Sequence, residues 1–268
     1  MLKDITLGQY FPMDSVVHKM DARYKIIITL IFLVMLFWGQ HIVSLAAGIF
    51  FVIAATAASR IPPKMLIKSI RPIVPILIIT GLMNLLLLDG GKEYFRWKFI
   101  SITEEGLQTS AFMIVRICLL IAGTSLLTYT TSPIVLTDAI ESLLSPLKKL
   151  KMPVHELAMM MTIALRFIPT LMDESDKIKN AQMARGADFE SGNIFRRVKS
   201  MIPILIPLFV SSVRKADELA TAMESRCYHG GEGRTRMHQL KFTLADFYAM
   251  LITFAFLAVL IVLLVVFK

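Results

Sequence analysis

Cysteine and acidic residues are both scarce in this sequence. Its 268 residues include two cysteines, Cys118 in an apolar segment and Cys227 near a basic one. Their spacing matches neither a disulfide framework nor a metal site, so neither is expected. The 20 acidic residues are outnumbered by 29 lysines and arginines, which gives a formal net charge of +9. Basic residues accumulate at the cytoplasmic face of membrane proteins, and we prefer that explanation to a nucleic-acid partner, which is not expected.

Polar surface is also in short supply. Hydrophobic residues make up 56% of the chain, and the mean hydropathy is +0.66. This is too apolar for a soluble domain, whose surface must be covered by polar residues, so we expect lipid to be the solvent. No cleavable signal peptide is expected, because the first apolar run begins only after Lys25. The composition therefore predicts an all-α integral membrane protein.

Five apolar stretches predict about five transmembrane helices. The first is short against the ~20 residues that a span needs, and Gly39-Gln40-His41 predicts a tight turn after it. Alternating aromatic and basic residues over Tyr94–Ile100 predict a small β-hairpin between the third and fourth stretches. The predicted spans are Ile26–Trp38, Ile42–Ala58, Ile73–Leu88, Gly106–Tyr129 and Leu244–Phe267.

The distribution of basic residues predicts the orientation of these spans. With the N-terminus in the cytoplasm, most of the basic residues lie inside, and one, Arg116, lies within a span, where we expect a structural pairing. The four outside are Lys92, Arg96, Lys98 and Lys268. We therefore expect a multi-pass protein of a cell membrane with a cytoplasmic N-terminus and an outside C-terminus.

The segment between Thr130 and Phe242 predicts three further helices, two of them long. Ser132–Met152 reads as one amphipathic helix with its apolar stripe at Leu136, Ile140, Leu143, Leu144 and Leu147. Each long helix begins apolar and becomes charged. Arg166 and three prolines (Pro169, Pro203 and Pro207) favour helices at the membrane interface, although either apolar half is an alternative span, which leaves the total between five and seven.

The two long helices repeat each other with a shift of 41 positions. The shift pairs Asp176 with Asp217, Ile178 with Leu219, Ala181 with Ala222, and Ala184-Arg185-Gly186 with Ser225-Arg226-Cys227. On a helix each arginine shares a face with the alanine four residues earlier and the aliphatic residue seven earlier. One such arginine would merely complement the helix dipole, but two in matching frames favour a docking role in partner grooves.

The whole chain resembles the transmembrane T component (the EcfT family) of energy-coupling factor transporters, ATP-driven micronutrient importers of prokaryotes. The most specific mark is a pair of Ala-Arg-Gly motifs that end two long coupling helices. Ala184-Arg185-Gly186 matches literally, whereas Ser225-Arg226-Cys227 keeps the arginine between other small residues.

This resemblance implies a non-catalytic coupling subunit whose Arg185 and Arg226 dock onto two ATP-binding-cassette ATPase subunits. Ala181, Ala222, Ile178 and Leu219 would support the docking face. The coupling helices would also hold a separate substrate-binding membrane subunit. The favoured substrate class is a vitamin, and the alternative is a dedicated cobalt or nickel importer. The expected domains are residues 1–131 with four membrane helices, 132–243 with the cytoplasmic coupling helices, and 244–268 with the last span.

Several patterns that would indicate other functions are missing. No G-x-x-x-x-G-K-[ST] segment occurs, so this chain is not expected to bind ATP itself. The five histidines lack metal-ligand spacing, and no metal or other cofactor is expected. A self-contained secondary transporter is the main alternative, but it would show paired inverted halves, whereas this repeat is direct. A membrane enzyme would need a convergent catalytic set, and none is visible.

Overall fold

The architecture was obtained as a computed structural model. It describes residues 10–38, 42–87, 90, 93–97, 100–150, 152–189, 193–230 and 244–266. The described chain contains α1 (Val16–Lys19), α2 (Ala22–Trp38), α3 (Ile42–Ser59), α4 (Pro63–Ile70), α5 (Val74–Leu87), β1 (Glu93–Trp97), β2 (Ile100–Thr103), α6 (Glu104–Thr130), α7 (Pro133–Leu144), α8 (Val154–Ala184), α9 (Ile194–Glu224) and α10 (Leu244–Val266).

The predicted all-α membrane fold is confirmed, since every predicted span is helical where it is described. Within the described residues, four helical stretches are long and apolar enough to cross a membrane: Ile42–Ser59, Pro63–Leu86, Glu104–Thr130 and Val154–Ala184. The last of these is α8. Its length and composition therefore allow both alternatives, a further membrane span and a helix at the membrane interface. The helix α2 has 17 residues, because it begins at Ala22, ahead of the predicted start at Ile26, and it is still shorter than the ~20 residues that a span needs. The turn predicted at Gly39-Gln40-His41 lies outside the described residues.

The predicted β-hairpin is also present. Strands β1 and β2 pair antiparallel, with Trp97 opposite Ile100 and Glu93 opposite Thr103. Thr103 ends the hairpin and caps the next helix, because its Oγ1 accepts a hydrogen bond from Gly106 N at 3.2 Å. The hairpin therefore leads directly into α6.

Two compact units divide the chain. We call residues 10–139 with 244–266 the first unit and residues 140–230 the second unit. In the first unit, α6 packs against α2, α3, α4 and α5. Its core is a continuous apolar cluster that includes Phe32, Leu36, Leu119 and Leu126, each less than a tenth exposed. The central helix of the first unit is therefore α6.

Glycines on α3 and α6 allow these helices to approach α2. A Cβ atom at Gly123 would meet the ring of Phe32, with Cδ1 at 2.8 Å, and one at Gly48 would lie 2.8 Å from Leu36 Cδ2. The Phe32 ring has little room to move, because it is buried and stacked on Phe51 with ring centroids 4.9 Å apart. Position 123 therefore requires glycine, which has no Cβ atom.

We therefore expect Gly123→Ala to lower the free energy of unfolding by about 1–3 kcal/mol through overpacking. Alanine in place of glycine within a helix normally stabilises it by roughly 0.5–1 kcal/mol, so a loss identifies the clash with Phe32. Thermal unfolding of the detergent-solubilised protein measures the effect, with Thr124→Ala at the exposed neighbouring position as the control. A gain of about 0.5–1 kcal/mol would show instead that Phe32 relaxes freely.

A buried polar cluster ties together helix ends of the first unit. Lys25 is 5% exposed, and its Nζ donates to Thr130 O at 3.0 Å, Thr131 Oγ1 at 3.3 Å and His18 O at 3.3 Å. The fully buried Asp246 accepts a hydrogen bond from Asp21 N at 2.8 Å. These bonds join the beginnings of α2 and α10 to the end of α6. Such buried charges are stable only when they are bonded in this way.

The prediction of one continuous helix over Ser132–Met152 is wrong. The α-helix ends at Leu144, and Ser145–Leu150 continues as a 3₁₀-helix. Pro146 accounts for the change, because it lacks an N–H group and disfavours the α conformation of the preceding residue. In α7 the buried side chains are Thr137 and Ala139, whereas Leu144 of the predicted stripe is 42% exposed.

The two predicted long helices are confirmed as α8 and α9, with 31 residues each. Their contacts show an antiparallel arrangement within the second unit. Near the end of α8, Gln182 Nε2 donates to Pro203 O at 3.5 Å, and further back Glu174 Oε2 lies 3.5 Å from Lys215 Nζ. As residue numbers rise along α8, their partners on α9 fall.

Candidate docking site on the two long helices

Arg185 is the C-cap residue that directly follows α8, in a well-defined helix end. The N–H of Gly186 donates to Met183 O at 2.9 Å, and the N–H of Ala187 donates to Gln182 O at 3.0 Å. Gly186 adopts a φ of 86°, in the left-handed region. This combination is the Schellman motif, in which the residues after the helix satisfy its last carbonyl groups.

Arg226 occupies the equivalent position beyond the end of α9, since its N–H donates to Met223 O as that of Arg185 donates to Gln182 O. The N–H of Cys227 donates to Glu224 O at 2.9 Å, and the N–H of Tyr228 donates to Met223 O at 3.0 Å. Cys227 takes the left-handed position with a φ of 57°. Every partner in this motif lies 41 residues after its counterpart on α8. The repeat seen in the sequence is thus a repeat of backbone hydrogen bonds.

The glycine of Ala184-Arg185-Gly186 therefore has a conformational role that small size alone did not reveal. The available signal was a glycine directly after the C-cap residue Arg185, which is typical of a left-handed helix end. Nothing lies within 4 Å of a Cβ atom built at Gly186, so only its backbone conformation favours glycine. Cys227 adopts the same conformation with a side chain, which costs roughly 1–2 kcal/mol.

We expect Cys227→Gly to stabilise the end of α9 and Gly186→Ala to weaken the end of α8, each by roughly 1 kcal/mol. Hydrogen exchange measures this locally, since amide protection follows the free energy of local opening. Amides of residues 226–228 should exchange about fivefold more slowly in Cys227→Gly, while those of residues 185–187 exchange faster in Gly186→Ala. Faster exchange at residues 226–228 of Cys227→Gly would contradict the left-handed end.

Both guanidinium groups are available for a partner. Arg185 and Arg226 are exposed, and within the described part of the chain neither side chain has a hydrogen bond or an ion pair. The predicted neighbours Ala181, Ala184, Ala222 and Ser225 are also exposed. An exposed guanidinium among small side chains on a rigid helix end is suited to entering a narrow groove with carboxylate or carbonyl acceptors.

Ile178 and Leu219, the two aliphatic residues of the predicted supporting face, are less exposed than its alanines. Ile178 is half-buried, and Leu219 is half-buried and lines a groove between α8 and α9 together with Phe167. Leu219 thus contributes to the packing of the two helices. The exposed patch around each arginine consists mainly of the alanine one turn earlier and the small residue beside the arginine.

The two arginines lie at opposite ends of the antiparallel pair. Met223, three residues before Arg226, shares the α8–α9 groove with Ile163, whereas Gln182, three residues before Arg185, meets Pro203. The axial distance from Ile163 to Arg185 is about 33 Å at the rise of an α-helix. One groove therefore cannot accept both guanidinium groups.

Comparison with known proteins gives concordant matches. Residues 13–238 match the family model described as "Cobalt transport protein" (CbiQ). A relative from Ruminiclostridium cellulolyticum is 53% identical over 262 residues, covering 96% of each chain. Relatives from Acidaminococcus fermentans and Bacillus subtilis are 54% and 46% identical, and each alignment covers 92% of this chain and 91% and 93% of the relative, respectively. All three carry the name "Energy-coupling factor transporter transmembrane protein EcfT".

The chain belongs to the EcfT family. The resemblance carried by the two arginine motifs is thereby confirmed, and the chain is a transmembrane, non-catalytic component of an energy-coupling factor transporter. The described residues contain no group of three or more histidine, cysteine, aspartate or glutamate side chains arranged to hold a metal ion. The candidate site is accordingly the pair of exposed arginines at the ends of α8 and α9.

Proposed function

We propose that this chain couples ATP hydrolysis by two ATP-binding-cassette ATPase subunits to import of a micronutrient held by a separate membrane subunit. Arg185 and Arg226 are the docking residues, each with its small neighbours. The observation that carries this proposal is the matched pair of Schellman ends, which hold two exposed arginines in the same local geometry.

The distance between the arginines supports two ATPase subunits. Because the two helix ends are about 33 Å apart, each requires its own groove. A rigid pair of helices can carry a displacement of one end to the other, which is what coupling requires. Closing of the ATPases would thus move both helix ends and shift the helices against the substrate-binding subunit.

An apolar face of α9 supports a membrane-embedded partner for the same helices. Along one side of its first half, several large side chains are more than half exposed. They are Phe195, Val198, Met201, Leu205, Ile206, Phe209 and Val210. Soluble surfaces rarely expose such a continuous apolar patch, which is typical of protein or membrane contact. The substrate-binding subunit is the partner we assign to it.

The proposed topology follows the excess of basic residues. The N-terminus lies in the cytoplasm and the C-terminus outside. Residues 1–131 and 244–268 then supply the membrane helices, and residues 132–243 supply the coupling region. The helix ends with Arg185 and Arg226 would thereby face ATPases in the cytoplasm.

For the cargo we propose a vitamin, delivered by a substrate-binding subunit. A dedicated cobalt or nickel importer is the second candidate, favoured by the description of the matching family model as a cobalt transport protein. Uptake of labelled vitamins and of ⁵⁷Co²⁺ by cells with and without this chain distinguishes the two. Loss of vitamin uptake alone supports the first assignment, and loss of cobalt uptake alone replaces it with the second.

Purification of the tagged chain from its native membrane in mild detergent tests the proposal as a whole. Mass spectrometry of the bound proteins should identify two ATPase subunits and a small, apolar membrane protein. Recovery of the chain alone, active in transport after reconstitution, would instead identify a self-contained secondary transporter.

A further inference from the structure

The first unit contains an apolar cavity of about 330 Å³ between α2, α3, α6 and α10. Its inner wall includes Phe32 and Leu126, which are both buried. Phe51 and Phe256 line it further along and stack on each other with ring centroids 6.2 Å apart. Its volume falls within the range of natural ligand sites, which begins near 300 Å³.

One side of the cavity is bordered by exposed residues of α3 and α10. Phe50 on α3 is 66% exposed, and Ile252 on α10 is 65% exposed. Ala54 and Ala58 on α3 are exposed lining residues with small side chains. The cavity therefore opens laterally between α3 and α10, along helices that face the bilayer.

The hydrogen-bond donors of the polar side chains that line the cavity are already used within the protein. Lys25 Nζ already donates to three protein oxygens, as described above. The hydroxyl groups of Thr29, Ser59, Thr130 and Thr253 donate to carbonyl oxygens of their own helices at 2.8–2.9 Å. A water molecule needs two to four polar partners, and the lining leaves it only a few hydroxyl acceptors, so water is a poor occupant of this cavity.

A largely apolar cavity of this size favours an apolar occupant. Protein interiors are close-packed, and the destabilisation caused by an unfilled void grows with its volume. The cavity is open on one side at membrane depth, where acyl chains are the abundant apolar molecules. From these observations we infer that the cavity binds one acyl chain of a membrane phospholipid, which enters between α3 and α10.

The end of α3 supplies charge for the phosphate of this phospholipid. Arg60 directly follows the lining residue Ser59, is exposed, and within the described residues has no hydrogen-bond or ion-pair partner for its side chain. Arginine binds phosphate through several N–H donors at once. An anionic phospholipid thus fits the site at both its apolar part and its headgroup.

A phospholipid analogue tests this inference independently of the proposed transport function. The full chain is reconstituted in phosphatidylcholine vesicles that contain phosphatidylglycerol with a diazirine in one acyl chain. After illumination, mass spectrometry should locate the label on α3 near Ala54 and Ala58 and on α10 near Ile252. Labelling confined to other helices would overturn the inference.

Matched variants separate the cavity from the general lipid boundary. Ala58→Trp fills the opening, whereas Ala57→Trp places the same side chain at the exposed neighbouring position, which does not line the cavity. Displacing two methylene groups corresponds to about a tenfold loss of affinity, so labelling near Ile252 should fall about tenfold in Ala58→Trp alone. If Ala58→Trp does not fold, Ala54→Phe takes its place. Equal labelling of the filled and control variants overturns the inference.

Headgroup recognition is tested with Arg60→Ala and, as its control, Lys64→Ala, an exposed basic residue on α4. Arg60→Ala should lower labelling by phosphatidylglycerol severalfold, and Lys64→Ala should leave it unchanged. Unlabelled palmitic acid that competes as well as unlabelled phosphatidylglycerol would show that a free fatty acid is the ligand, which contradicts the phospholipid assignment.

Discussion

Replacing both Arg185 and Arg226 by alanine is expected to reduce ATP-driven uptake at least about a hundredfold, since each hydrogen-bonded guanidinium contributes roughly 1.5–3 kcal/mol. Arginine is also among the residues that most often dominate an interface. The variant should remain folded in the membrane, because both side chains are exposed and the bonds of the helix ends use only backbone atoms. Uptake by reconstituted vesicles and the amount of co-purified ATPase measure the two effects.

Lys177→Ala/Arg214→Ala is the matched control for this double variant. It removes one exposed positive charge from α8 and one from α9 while leaving both helix ends intact. We expect it to retain uptake and ATPase binding, which would separate docking from general charge. Intact uptake with unchanged ATPase co-purification in Arg185→Ala/Arg226→Ala would disprove the docking role.

The strongly periodic and strongly apolar segments were predictable from sequence. α3, α6 and α10 begin and end within two residues of the predicted stretches, because about 20 apolar residues with few charges have few alternatives to a membrane helix. The hairpin was predictable for a similar reason, since its alternation has a period of two. In each case the signal lies within the segment itself.

The helix α4 was not predicted, although Pro62 and Pro63 mark its start. No helix was assigned between Ala58 and Ile73, whereas proline is favoured in the first turn of a helix. Its place is determined by packing on α6: Tyr129 Oη donates to Met65 O at 3.3 Å. That contact joins residues 64 positions apart and has no local sequence signal.

The candidate docking site was predicted in part. The 41-residue repeat found the two arginines, because matching residue types recur in the same helical frame. In the repeat, Gly186 and Cys227 are recognisable only as small neighbours of the arginines. The repeat does not reveal that both residues adopt the left-handed conformation. A cysteine gives no such signal, since few non-glycine residues adopt a positive φ. The antiparallel packing that separates the arginines depends on contacts such as Glu174 with Lys215, which only the fold brings together.

Lys25 was read from sequence as an ordinary basic residue flanking the first span, but its burial predicts a large effect of mutation. We expect Lys25→Met and Asp246→Ala each to lower the free energy of unfolding by about 3–5 kcal/mol, the range for removing one partner of a buried charged group. Lys25→Met leaves Thr130 O without its 3.0 Å donor, and Asp246→Ala leaves Asp21 N without its 2.8 Å acceptor. Denaturant unfolding in detergent measures both.

The two effects should also depend on each other, because Lys25 and Asp246 interact electrostatically. The double variant should therefore be less destabilised than the sum of the single variants, as in a double-mutant cycle between coupled sites. Asp14→Ala is the control: it removes the exposed ion pair of Asp14 with Lys19, whose atoms lie 3.5 Å apart, and should have no measurable effect. Strict additivity of Lys25→Met and Asp246→Ala would show that the polar cluster consists of independent bonds, each holding its own helix end.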